Sequence, residues 1–152
     1  MRSQSTLNIA IAVLLTLFSL ATASGAQKPP FTVTISAPAT VVAGGDLFVE
    51  VETKNVSKEA IQIVWGELYT IMVRDESGKE VAPKPGTRGG SSALVSVEPG
   101  MALKDRVPLS SNYDLTELGK YVVQVTRPLH HDDPKSDRVQ SNAITITVVP
   151  RK

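Results

Sequence analysis

The sequence contains no cysteine. This absence excludes disulfide bonds, thiolate metal sites and every reaction that needs a cysteine nucleophile. The fold must therefore be stabilised by a buried apolar core, and a chain of 152 residues is long enough to form one as a single domain.

Aromatic residues and histidine are also scarce, and the net charge is small. The chain has one Trp, three Tyr, three Phe and two His, and its formal net charge is +1. A nucleic-acid site needs basic residues gathered on one face with aromatic side chains between them. Here the arginines are scattered over many segments. We therefore expect no nucleic-acid partner.

One long apolar stretch is present, at positions 9–20, and it contains two hydroxyl residues. Arg2 precedes it and small residues follow it at 21–26. This layout is typical of a secretory signal, and the stretch is shorter than the roughly 20 apolar residues of a spanning helix. We predict a signal peptide over residues 1–26, cleaved after Ala26 or, alternatively, after Ala23, and one domain over residues 27–152. No membrane span should remain after cleavage.

The predicted mature domain is electrically neutral. Loss of residues 1–26 takes away Arg2 and no acid, which leaves 15 basic and 15 acidic residues. An exported chain without disulfides is more typical of bacteria than of the eukaryotic secretory route. We therefore expect a secreted or periplasmic protein, and we interpret the sequon at Asn55 as a chance occurrence.

Apolar residues alternate with polar ones along most of the remaining chain, and no window shows helical spacing. Alternation with a period of two is typical of strands that bury one face. It predicts about seven to nine short strands and an all-β antiparallel sandwich. The residues predicted to face the core include Phe31, Val33, Ile35, Leu47, Val49, Val51, Ile61, Ile63, Trp65, Tyr121, Val123, Val125, Ile144, Ile146 and Val148.

The segment Leu118-Gly119-Lys120-Tyr121-Val122-Val123 resembles the Gly-x-Tyr-x-Cys signature of immunoglobulin-like domains, with Val123 in the cysteine position. The resemblance implies a disulfide-free bacterial member of that fold. It implies that Gly119 forms a turn and that the Tyr121 hydroxyl bonds an upstream backbone group. It also implies that Trp65 packs in the core.

A second resemblance covers the run from Val107 to Leu115 together with Gly119-Lys120-Tyr121. These residues are similar to the β-domain that precedes the catalytic part of deuterolysin-type metalloproteases. Those enzymes bind zinc through a His-Glu-x-x-His helix, and this chain has no such motif. The resemblance therefore implies a sandwich without the catalytic part.

The run His130-His131-Asp132-Asp133 is the one metal-like cluster in the sequence. Imidazole nitrogens and carboxylates are ligands for zinc, copper or nickel. Adjacent histidines on a strand would point to opposite faces, whereas on a loop they could share one ion. The four residues are a candidate metal site, and a solvated turn is the competing interpretation.

The Gly-rich run Thr87-Arg88-Gly89-Gly90 is a candidate binding loop. It could present Arg88 to the pocket of a trypsin-like protease. It does not match a phosphate-binding loop, because the Gly-Lys-Ser/Thr ending is missing. The Gly-x-Ser-x-Gly elbow of serine hydrolases is also missing from the chain.

These patterns predict an exported, non-catalytic binding or protein-interaction module rather than an enzyme. We expect a protein or glycan partner in the cell envelope, a monomer, and no cofactor. Two alternatives remain open, which are a secreted protease inhibitor that uses the Gly-rich loop and a periplasmic metal-binding protein that uses His130 and His131.

Overall fold

The computed structural model describes residues 28–66, 69–86, 92–133 and 135–151, so the predicted signal peptide lies outside it. Within these ranges the backbone forms ten strands and one helical turn, α1 (Leu109–Asn112). The strands are β1 (Phe31–Ser36), β2 (Thr40–Val42), β3 (Phe48–Asn55), β4 (Ile61–Trp65), β5 (Thr70–Arg74), β6 (Ala93–Val97), β7 (Ala102–Pro108), β8 (Gly119–Pro128), β9 (Arg138–Gln140) and β10 (Ile144–Val149).

The strands form two main sheets and one separate strand pair. The first sheet has the order β1-β3-β7, and the second has the order β2-β10-β8-β5 with β9 beside β8. β4 and β6 pair only with each other. All pairs are antiparallel except β2 with β10. In immunoglobulin-like sandwiches strands A, B and E share one sheet and G, F and C share the other, which is the arrangement of β1-β3-β7 and β10-β8-β5. The prediction of an immunoglobulin-like all-β sandwich is confirmed.

The core lies between the two main sheets. Alternate residues of each strand point inward, because successive side chains of a strand lie on opposite faces. Side chains from β1 and β3 therefore meet those of β5, β8 and β10, and the core is completed by the helical turn and the segment after it. The buried cluster comprises Phe31, Val33, Ile35, Leu47, Val49, Val51, Val73, Leu109, Tyr113, Leu115, Tyr121, Val123, Val125, Ile146 and Val148.

The entry to β8 has the geometry that the resemblance implies. Gly119 has a φ of 139°, a conformation that side-chain-bearing residues rarely adopt. Tyr121 is buried, and its hydroxyl donates to the carbonyl of Glu117 at 3.1 Å. This bond links the strand to the loop before it, as in a tyrosine corner.

Side chains cover the backbone at two sheet edges. On β1, the Asn142 side chain accepts from the Ile35 amide at 2.8 Å and donates to the Ile35 carbonyl at 3.0 Å. On β5, the Tyr113 hydroxyl donates to the Ile71 carbonyl at 2.8 Å. At these two positions the backbone groups are bonded within the molecule, and such cover makes an edge strand less open to pairing with other molecules.

The described residues form ten strands, whereas the sequence predicted about seven to nine. β2 and β9 have three residues each, and such short strands carry too little alternation to be recognised. Near Val81 the chain makes an isolated bridge between Arg74 and Glu80. No helix in the described part of the chain is long and apolar enough to cross a membrane.

The prediction that Trp65 packs in the core is wrong, since 41% of its surface is exposed. In immunoglobulin domains the core tryptophan belongs to strand C. Here strand C is β5, and Val73 of β5 is fully buried in the core. Trp65 ends β4, which pairs with β6 outside the second sheet.

Candidate binding groove

Two rows of polar side chains cross the outer face of the β1-β3-β7 sheet. Strand register places Ser36 beside Glu50 and Glu50 beside Arg106. The next row contains Thr34, Glu52 and Lys104 in the same order. Each row thus presents a hydroxyl, a carboxylate and a cation, with neighbouring Cβ atoms about 5 Å apart.

These rows form the floor of a groove of about 520 Å³. Cavities of roughly 300–1,000 Å³ are the usual size of small-ligand sites. Trp65 borders the groove, and Asp105 also lines it. Ile35 and Val51 complete the lining, but their side chains are buried in the core. The single tryptophan of the chain is therefore its main apolar element.

The charged side chains on the groove floor balance. Two carboxylates, of Glu50 and Glu52, face two cations, of Lys104 and Arg106. Asp105 pairs with the inward-facing Val51, so its side chain belongs to the opposite face of the sheet. Lys104 Nζ lies 3.5 Å from a Glu52 carboxylate oxygen, an exposed ion pair that can open at little cost. The Arg106 guanidinium lies 4.0 Å from the centre of the Phe48 ring. This stacking limits its motion and holds one donor group at the floor.

A buried arginine ties the β4–β6 pair to the sandwich. Arg127 of β8 is only 3% exposed, and its guanidinium donates to the Thr53 hydroxyl at 3.2 Å and to the Val64 carbonyl. It also lies 4.8 Å from the centre of the Tyr69 ring. Since Val64 precedes Trp65, the contact fixes the backbone next to the groove.

The neighbouring Tyr69 hydroxyl is buried close to this guanidinium. In the described part of the chain it makes no hydrogen bond of good geometry. Burial raises the pKa of Tyr69 above its ordinary value, although the Arg127 charge acts in the opposite direction. The phenol is therefore neutral at physiological pH.

Asn55 fixes the other end of the β4–β6 pair. Its buried amide nitrogen donates to the carbonyls of Val97 and Glu59, both at 2.8 Å. Its side-chain oxygen accepts from the amide and the hydroxyl of Ser57, also at 2.8 Å. The end of β3, the turn before β4 and the end of β6 are thus joined by one side chain. The sequon asparagine is a structural residue.

The four residues of the predicted metal cluster lie exposed on the turn after β8. The Ser136 side chain helps to close the turn, since its hydroxyl accepts from the His130 amide at 3.1 Å. Asp133 also takes part, accepting from the Lys135 amide at 2.9 Å. Among the described residues, no group of three His, Asp or Glu side chains is placed to hold one ion. The metal site at His130 and His131 stays a prediction.

The candidate loop Thr87-Arg88-Gly89-Gly90 lies outside the described residues. The inhibitor hypothesis that depends on it stays a prediction. In the described part that follows, Ala93 of β6 pairs with Trp65 of β4.

No protein-family model matches the chain, and no curated protein matches it. Solved structures with similar folds include the CARDB domain of a Pyrococcus furiosus protein, solved in complex with di-metal ions. It is 17% identical, with a TM-score of 0.48, and the match covers 81% of this chain and 90% of that one.

Two β-glucosidases are also similar in part. The enzyme from Listeria innocua, in complex with isofagomine, is 17% identical with a TM-score of 0.44 over 78% of this chain. The enzyme from Erythrobacter marinus is 18% identical with a TM-score of 0.40 over 77% of it. The match covers only 16% and 15% of those enzymes. Likeness at this level transfers neither metal ions nor glycosidase activity to this chain, and the resemblance to the deuterolysin-type β-domain stays a prediction.

Sequence reasoning missed the two residues that hold the β4–β6 pair. Arg127 continues the alternation of Tyr121, Val123 and Val125 on β8, and this inward register was a signal that its side chain is buried. Asn55 likewise continues the inward register of β3. The groove itself had no local signal, because its rows depend on how distant strands pair.

Proposed function

We propose that this chain is an exported, non-catalytic binding module that holds its ligand in the groove bordered by Trp65. The observation that carries the proposal is an exposed tryptophan beside two rows of polar side chains. Tryptophan is enriched where proteins bind partners, because a large rigid ring gains contact area at small entropic cost.

The anchoring of the β4–β6 pair supports a role of the groove in ligand recognition. Arg127 and Asn55 fix the β4–β6 pair from both ends, so the indole is presented by an anchored strand. Binding sites built on anchored strands are more precise than those on loops, and less freedom is lost when the ligand binds.

The chain carries its own reporter for a test of this function. Because Trp65 is the sole tryptophan of this chain, its fluorescence reports on the groove once the emission of the extract alone has been subtracted. We expect a component of cell-envelope extract to protect the purified protein's indole from acrylamide quenching. The double variant Glu50→Gln/Glu52→Gln should lose this protection and Val122→Ala should keep it, since Val122 is an exposed residue of β8 in the other sheet. Unchanged quenching with every extract fraction would refute the groove as a binding site.

Export is a separate part of the proposal and has its own test. The mass of the protein recovered from the periplasm or the medium should correspond to a first residue of Gln27, or of Ser24 if cleavage follows Ala23. An intact N-terminus on a chain retained in the cytoplasm would contradict export.

A further inference from the structure

The chemistry of the groove narrows the class of ligand. A strongly charged polymer requires a surface of the opposite sign, whereas the groove floor presents two carboxylates and two cations. An apolar peptide side chain requires a dry pocket, whereas the side chains around Trp65 are mostly polar and exposed. The ligand that fits has a neutral body, many hydroxyl groups and one apolar face.

We propose that the ligand is a neutral oligosaccharide or polysaccharide, an inference that rests on the binding function proposed above. A pyranose ring has an apolar face of C–H groups that matches the exposed indole of Trp65. Its equatorial hydroxyl groups can donate hydrogen bonds to carboxylates and accept them from cations. The two rows supply both kinds of partner.

The roles of the groove residues follow from their positions. Trp65 stacks on one sugar ring, while Glu50 and Glu52 accept hydrogen bonds from hydroxyl groups of the ligand. Arg106, already stacked on Phe48, donates to ring or hydroxyl oxygens. Lys104 donates once its exposed ion pair with Glu52 opens. Consecutive outward residues of one strand are about 6.8 Å apart, so the two rows suit contacts to more than one sugar unit.

The test uses the purified protein with a panel of soluble polysaccharides. β-Glucan, mannan and xylan are the neutral probes, and alginate is the charged one. We expect at least one neutral probe to protect Trp65 from acrylamide and to retard the protein in affinity gel electrophoresis. For the Trp65→Ala variant, affinity gel electrophoresis should give a dissociation constant at least about tenfold higher. Trp65→Phe should weaken binding less, because a smaller aromatic ring remains to stack on the sugar.

Control variants separate the groove from other surfaces. Leu94 is 57% exposed on the same strand pair, opposite Val64, so Leu94→Ala removes an apolar side chain without touching the groove lining. It should bind as the wild type does, and circular dichroism should show the same fold for all variants. Equal retardation of Trp65→Ala and wild type would overturn the assignment of Trp65.

The outcomes also separate this inference from the binding function. If no neutral polysaccharide protects Trp65 but a protein fraction of envelope extract does, the glycan inference falls and the binding function stands. If alginate binds and the neutral probes do not, the neutral class is wrong. If neither polysaccharides nor extract protect Trp65, both proposals fall.

Discussion

Replacement of Asn55 by alanine should destabilise the whole sandwich, although Asn55 does not line the binding groove. The side chain is 0% exposed and makes four hydrogen bonds, to Val97, to Glu59 and twice to Ser57. Alanine removes all four at once. The Val97 carbonyl bond is buried, so that acceptor would lose its partner away from water.

The magnitude follows from these contacts. A buried polar group without a partner costs about 1–3 kcal/mol, and each remaining bond contributes about 0.5–1.5 kcal/mol. Water can replace some of the part-buried bonds to Ser57 and Glu59, so we expect a loss of about 2–4 kcal/mol. This is a large part of the roughly 5–15 kcal/mol that holds a typical domain folded.

Urea unfolding followed by circular dichroism measures the effect. Asn55→Ala should lower the midpoint without changing the slope, since the surface exposed on unfolding is the same. Asn112→Ala is the matched control, because Asn112 is half-buried in α1 and its side chain makes no hydrogen bond within the described residues. A midpoint for Asn55→Ala equal to that of the control would refute the reasoning.

Three further predictions concern the residues around the sandwich. Arg127→Lys should lose about 1–3 kcal/mol in urea unfolding, because lysine lacks the planar pair of nitrogens with which Arg127 bonds Thr53 and Val64; wild-type stability would contradict that role. Gly119→Ala should lose about 1–3 kcal/mol in the same assay, since φ at 139° strains any Cβ-bearing residue; an unchanged midpoint would show that the turn relaxes. The raised pKa of Tyr69 means that the unfolded chain loses its phenol proton first, so stability falls as pH rises above 10.0. Melting temperatures from pH 8 to 11 should therefore decline less in Tyr69→Phe, and parallel declines would argue against a buried neutral phenol.

Alternation predicted the inward faces of the long strands. Phe31, Val33 and Ile35 on β1, and Val123 and Val125 on β8, are all buried as expected. The reason is local, because side chains of a strand alternate between faces whatever it pairs with. The same rule places Arg127 on the inward face of β8. A charged side chain is usually expected at the surface, so its burial was not predicted from the sequence.

Trp65 shows where this reasoning fails. It shares a face with Ile63 by alternation, and Ile63 is buried while Trp65 is exposed. Both residues pair with β6, but Ile63 lies in the middle of β4 and Trp65 lies at its end. Which part of a strand the core covers depends on how distant segments pack, and a local pattern does not contain that information.

The sequence by itself determined the strand-rich class, the tyrosine at the start of β8 and the absence of disulfides. These depend on residue type and on spacing within a few positions. Only the tertiary structure decided that Glu50 and Glu52 stand between hydroxyl groups of β1 and cations of β7. It also decided that Trp65 borders them. Strand register and sheet membership, which join residues far apart in the chain, create the groove.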